Sequence, residues 1–142
     1  MVKPLPDMSA HIDALRLLLE GAGITVHVGE VLDPLPALPY ALISVPPGVG
    51  VAVNVSDDQE ETSETVRVTV VDDDPLNCLR TVTAVRRVLH RAVLDVPSRV
   101  CFPLRLTGSM PVAADREVTR TDTGRHPFYA VDEWLLESTP TD

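Results

Sequence analysis

Aromatic residues are nearly missing from this chain. Two Phe, two Tyr and one Trp stand among 142 residues, 4% of the total. Val, Leu and Ala must therefore fill the core. Cationic residues are also short: 12 Lys and Arg face 21 Asp and Glu, for a net charge of −9. Binding nucleic acid by neutralising phosphates needs a basic face. This balance argues against that as the main task and suits solubility, or a surface that does not stick to DNA or to anionic membranes. Only two cysteines occur, Cys78 and Cys101. Two can form one bridge but not a disulfide framework. The reading of their surroundings, an apolar helix stripe and a strand, is two buried thiols. No apolar run approaches the ~18–20 residues of a membrane span. The opening MVKPLPDMSAHID has no apolar core before a small-residue cleavage site, so no signal peptide is expected, and the expected folding compartment is a cytoplasm. Met8, which begins MSAHIDALRLLL, can serve as a natural start.

What remains is globular. The hydrophobic fraction is 44% and the charged fraction 23%, the proportions of a folded domain. A chain of this length favours one domain, burying roughly 68–70% of its unfolded surface without a metal or a disulfide. The expected domain is the whole chain, 1–142, with residues 1–7 a flexible extension and 139–142 a flexible tail.

Periodicity supplies the elements. Met8, Ile12, Leu15, Leu19 and Ala22 recur at helical spacing, with Asp13, Arg16 and Glu20 on the wet side. Ser9 or Asp7 can cap that helix, and Gly21 and Gly23 end it. A short strand is expected in ITVHVG, from Ile24. EVLDPLPALP, with three prolines in ten residues, can be neither helix nor central strand and reads as an extended connection. PYALISV reads as a buried strand and VAVNV as a short one. ETVRVTVVD alternates cleanly, with Val66, Val68 and Val70 on one face and Thr65, Arg67 and Thr69 on the other. That pattern predicts a sheet covered on one side. Asp74 and Pro75 are an N-cap and a first helical residue, with Asp72 and Asp73 near the positive end of the helix dipole. The helix is expected over about 75–94, burying Cys78, Val82, Val85, Leu89 and Ala92. Pro97 ends that region. VCFPLRLTG reads as an edge strand kinked at proline. Residues 112–123 read as strand-like near their end, where Val118, Arg120 and Asp122 alternate, and TGRHP reads as a turn. FYAVDEWLLES closes the fold, with Phe128, Ala130, Trp134 and Leu136 on one face. Tyr129, Val131 and Leu135 make the other face, interrupted by Glu133. Both faces look apolar enough for burial, and a subunit contact could supply the second side. Trp134 is expected in the core.

Catalytic signatures are missing. His11, His27, His90 and His126 are scattered, and no H-E-x-x-H, C-x-x-C, P-loop or G-x-S-x-G pattern is present. PPGVGV has neither dinucleotide-loop spacing nor a following helix. No enzyme activity, metal or cofactor is expected. Two surfaces stand out. Asp57, Asp58, Glu60 and Glu61 form an acidic loop; the readings, in order, are a solvated loop, a partner-facing surface and a Ca²⁺ site. The last lacks the EF-hand pattern. Arg80, Arg87 and Arg91 make a basic helix face, read as solvated or as a salt-bridged contact with a neighbouring subunit's acidic loop.

The order of pieces is similar to a known family. SAHIDALRLLLEGAGI leads to a short strand and GEV. A proline-rich connection then reaches PYALISV, ETVRVTVV precedes LNCLRTVTAVRRVLHRAVL, and HPFYAVDEWLLES ends the chain. From about Met8 to Ser138 this resembles the tail terminator proteins of long-tailed bacteriophages, particularly those of actinobacteria. Eleven Arg against one Lys suit a high-GC genome. The resemblance implies an α+β fold, a mostly antiparallel mixed sheet with two helices packed on one face. It implies a homo-hexameric ring that caps the tail tube, stops tube polymerisation and joins the head–tail connector. The expected location is the neck end of the virion tail, after synthesis in the host cytoplasm. DNA would pass through the lumen without specific binding, and no reaction would be performed. No site residue carries over. The proline density of Asp33–Pro39 and the acidity of 56–63 depart from the family. Another head–tail joining or tail-completion protein is therefore the alternative, and a monomeric non-enzymatic binding domain is a second.

Overall fold

The computed structural model describes residues 7–46, 50–51 and 61–141. Two helices and seven strands follow one another as α1 (Met8–Gly21), β1 (Val26–Val28), β2 (Tyr40–Ile43), β3 (Gly50–Val51), β4 (Glu61–Asp72), α2 (Pro75–Leu89), β5 (Arg99–Cys101), β6 (Arg105–Ala114) and β7 (Phe128–Pro140). The strands make one sheet in the order β1-β2-β4-β7-β5. β3 pairs with β4, and β6 pairs with β7. Among the described strands only β1 and β2 run parallel, and the other pairings are antiparallel. The expected α+β fold is the one observed.

The long central ladder sets the two faces. Val66, Val68 and Val70 of β4 pair with Trp134, Asp132 and Ala130 of β7, and all six are buried. Both helices cover this inner face. Met8, Ile12, Leu15 and Leu19 of α1 join Cys78, Val82, Val85 and Leu89 of α2 in one core. α1 starts at Asp7, whose side chain accepts from the Ser9 N–H. It stops in a Schellman motif. Gly23 takes φ +84° and donates to the Glu20 carbonyl, while Ile24 donates to that of Leu19. A residue with a Cβ would resist that left-handed turn.

The run DDDP is structural, as its spacing suggested. Asp74 caps α2 by accepting from the Asn77 N–H at 2.8 Å, and Pro75 opens the helix. Asp73 accepts from the Asn77 amide at 3.2 Å. Asp72 accepts from the Thr81 hydroxyl at 3.1 Å; burial raises its pKa above the usual carboxylate value.

Several boundaries differ from the periodicity. α2 ends at Leu89, not near 94. Arg91 adopts φ +57° and donates its N–H to the Leu104 carbonyl, while Leu104 donates to that of Ala92. Those two bonds turn the chain so that Leu94 and Val96 reach the core. The stretch after β6 is not a strand: Arg120 donates to Arg125, and Gly124 to Arg120, in a tight turn. Arg120 points inward. Its guanidinium donates to the Pro36 carbonyl at 2.7 Å and grips Asp122 through two bonds. This clamp ties the turn to the proline-rich connection. Together they line a crevice over Tyr40 and Val71, so one end of the outer sheet face is covered as well. That is why Val71 is buried out of alternation. β7 runs on through Thr139 and Pro140, paired with Val100 and Arg99, two residues past its expected end.

Candidate assembly surfaces

The inner face of β7 carries a feature that its apolar neighbours conceal. Between Ala130 and Trp134, period two turns Asp132 inward, where its side chain is 5% exposed. A buried carboxylate needs a cation or several donors. Arg86 of α2 supplies both: Nε and Nη2 donate to the two carboxylate oxygens at 2.8 Å each. Nη2 also reaches the Ser109 hydroxyl at 3.0 Å. The carboxylate raises the Arg86 pKa further. This fork fastens α2 to β7 and β6, and the sequence held a signal for it: one acidic residue on a strand face otherwise apolar.

A second polar cluster fastens α1. His11 is fully buried. Its Nε2 lies 2.7 Å from the Ser138 hydroxyl and its Nδ1 2.8 Å from the Asp7 carbonyl. Arg99 Nε donates to the same hydroxyl at 2.7 Å. Ser138 therefore accepts from Arg99 and can donate to a neutral imidazole whose Nδ1–H donates to Asp7. Burial holds the His11 pKa below the usual histidine value, and the Arg99 charge acts in the same direction. No periodicity could have found this cluster, since His11 and Ser138 are 127 residues apart.

The two surfaces singled out in the sequence separate. Asp57, Asp58 and Glu60 lie outside the described residues, and Glu61 is the half-buried first residue of β4. Arg80 and Arg87 are exposed on α2, where Arg80 donates to the Asn77 side chain at 2.8 Å. Arg91 is not on the helix. It stands beyond the helix end, so the three arginines do not form one helical face.

Arg91 instead belongs to a groove at the sheet edge. β5 and β6 are two pieces of one edge strand along β7. Between them the chain detours through Phe102 and Pro103, and Leu104 tucks against the end of α2. The groove holds about 670 Å³ and is lined by His90, Arg91, Phe102, Leu104, Arg105 and Leu106. Phe102 is 48% exposed and Leu106 39%. On the outer face of the sheet, Arg67 meets Glu133 at 3.4 Å and Arg105 meets Glu137 at 3.6 Å. These exposed pairs contribute little to stability.

Cys78 and Cys101 are buried free thiols. Burial pushes the Cys78 pKa up to about 11 and raises that of Cys101. Neither is a thiolate at neutral pH, the form a nucleophile requires. Among the described residues, no three His, Cys, Asp or Glu side chains gather where a metal could sit. None of the described helices is long and apolar enough to cross a membrane.

No protein-family model matches the chain, and no curated protein sequence matches it. Its fold is similar to that of a solved chain from the virion of a native gene transfer agent particle. The TM-score is 0.52 at 16% identity, and the alignment covers 92% of this chain and 93% of that one. At that identity the likeness is one of fold.

Proposed function

We propose that this chain is a structural protein of a phage-like virion, and more specifically a tail terminator: a ring of identical subunits at the neck end of the tail. There it would stop growth of the tube and receive the head connector. The observation that carries the reading is the fold likeness to a virion chain over nearly the full length of both partners. The order of elements from Met8 to Ser138, which resembles the terminator family, points the same way. In this reading the partners are further copies of the chain, the tail tube protein and a head–tail connector. DNA passes through the lumen without being bound, as suits a net charge of −9. The chain performs no reaction. A second reading is another head–tail joining or tail-completion protein of the same neck region, because the fold likeness is to a particle and not to a position within it.

The test is native mass spectrometry over a concentration series, with electron microscopy of large species, repeated with purified tail tube. A six-subunit ring, or a ring seeded on tube ends, is the expected result. A chain that stays monomeric and leaves tube ends bare would overturn the terminator role. In complementation, neutralising Asp57, Asp58, Glu60 and Glu61 should leave the fold intact but change tail length or head joining. Normal tails would remove the acidic stretch from the mechanism.

A further inference from the structure

Among the described residues the sheet has two open edges, β1 on one side and β5 with β6 on the other, and their charge differs. Between Arg16 and Arg67 the chain has no Lys or Arg in fifty residues but eight Asp or Glu. Its described residues include β1, β2, β3 and the start of β4, while Asp57, Asp58 and Glu60 lie outside the described residues. The open edge here is β1 with the turn that follows. There Glu30 and Asp33 are exposed, Leu32 is 83% exposed and Val45 is exposed too. Val45 lies over the turn, since a Cβ on Gly29 would stand 3.5 Å from its side chain.

At the opposite edge lies the groove between the end of α2 and β5–β6. Arg91 and Arg105 face one carboxylate there, Glu137. In a chain with 12 cationic and 21 anionic residues, this is a local excess of positive charge around exposed apolar side chains. Backbone pairing along this edge is blunted. β6 contains Pro111, and its register with β7 slips between Leu106 and Gly108 and again between Met110 and Ala113. Such devices protect an edge from strand addition and leave side-chain docking as the mode of contact.

We propose that the groove receives the β1 edge of a second copy of this chain, with Leu32 and Val45 against Phe102 and Leu106, and Glu30 toward Arg91 and Arg105. Different patches meet, so each added copy presents a new free edge and a new free groove. A head-to-tail contact of this kind yields a ring when its rotation closes. The contact rests on the self-assembling role proposed above and specifies its surface.

Oxidative cross-linking tests it directly. Cys78 and Cys101 are buried, so new surface cysteines report alone. A Leu32→Cys/Leu106→Cys chain should give a ladder of cross-linked oligomers. Equal parts of the two single variants should stop at dimers, and each single variant alone should give none. Self-cross-linking of Leu106→Cys, or no ladder from the double variant, overturns the contact. Arg91→Gly is the companion variant. Arg91 sits at φ +57°, a conformation glycine adopts freely, so the fold should be kept while the charge is lost. Association measured by sedimentation should weaken at least fivefold, with unfolding unchanged or later. Undiminished association overturns the proposal. Rings that form without the ladder would reject this surface and leave the virion role standing, whereas tube ends left bare by well-folded protein would reject that role.

Discussion

Replacing Arg86 with alanine leaves Asp132 buried on β7 without its cation. The two partners differ in exposure: the Asp132 side chain is 5% exposed and that of Arg86 39%. Fully buried pairs cost about 3–5 kcal/mol when one partner is removed, while exposed pairs contribute about 0.2–1 kcal/mol. Two charge-assisted bonds at 2.8 Å and a partly solvated guanidinium place this pair between those limits. Arg86→Ala should cost about 2–3 kcal/mol, because the stranded carboxylate cannot reach water without disturbing the core. Asp132→Ala should cost less, about 1–2 kcal/mol, because a freed Arg86 can turn toward solvent. The double variant should lie well short of the sum, with a coupling of about 1–2 kcal/mol. Urea unfolding followed by Trp134, the single tryptophan and two residues along β7, measures all four corners of the cycle. Additive costs would show that the fork is not what fastens α2 to the sheet. Equal costs for the two single variants would refute the asymmetry drawn from burial.

Two further outcomes follow from buried polar groups. Because burial lowers the His11 pKa, the unfolded chain takes up the proton first. Stability should be full above the unfolded value of about 6.5 and fall as pH drops below it, by at most about 1.4 kcal/mol per pH unit. His11→Asn should flatten that limb relative to wild type in urea titrations between pH 7.5 and 5, and parallel limbs would refute a proton-sensitive His11. Trp134 Nε1 has no hydrogen-bond partner among the described residues. Trp134→Phe loses packing but also removes a stranded donor costing about 1–3 kcal/mol. Its net cost, read by circular dichroism, should stay below about 1.5 kcal/mol, against about 2–5 kcal/mol for Leu136→Ala; a cost above about 3 kcal/mol would mean the indole is well satisfied.

Local chemistry was legible in the residues themselves. The stripes of α1 and α2, the alternation of β4, the Asp74–Pro75 helix start and the glycine stop after α1 all follow from spacings of a few residues. Each rests on backbone geometry that neighbouring residues determine among themselves. The α+β class was implied by the resemblance that the order of those elements carries, and it is the class observed. What required the tertiary structure was every pairing between distant polar groups. Arg86 finds Asp132 across 46 residues, Arg120 finds the Pro36 carbonyl across 84, and His11 finds Ser138 across 127. Val118, Arg120 and Asp122 imitate strand alternation, but a tight turn and the pull of Arg120 toward Pro36 override it. The end of α2 has no glycine to announce it, because the stop comes from two bonds to Leu104, a residue that belongs to the sheet edge. The groove exists for the same reason: β5 and β6 share one neighbour, β7, and the chain between them must step outward. Periodicity reports which side of an element faces the core. Which edges remain open, and which charges gather there, is decided only when the strands find their order.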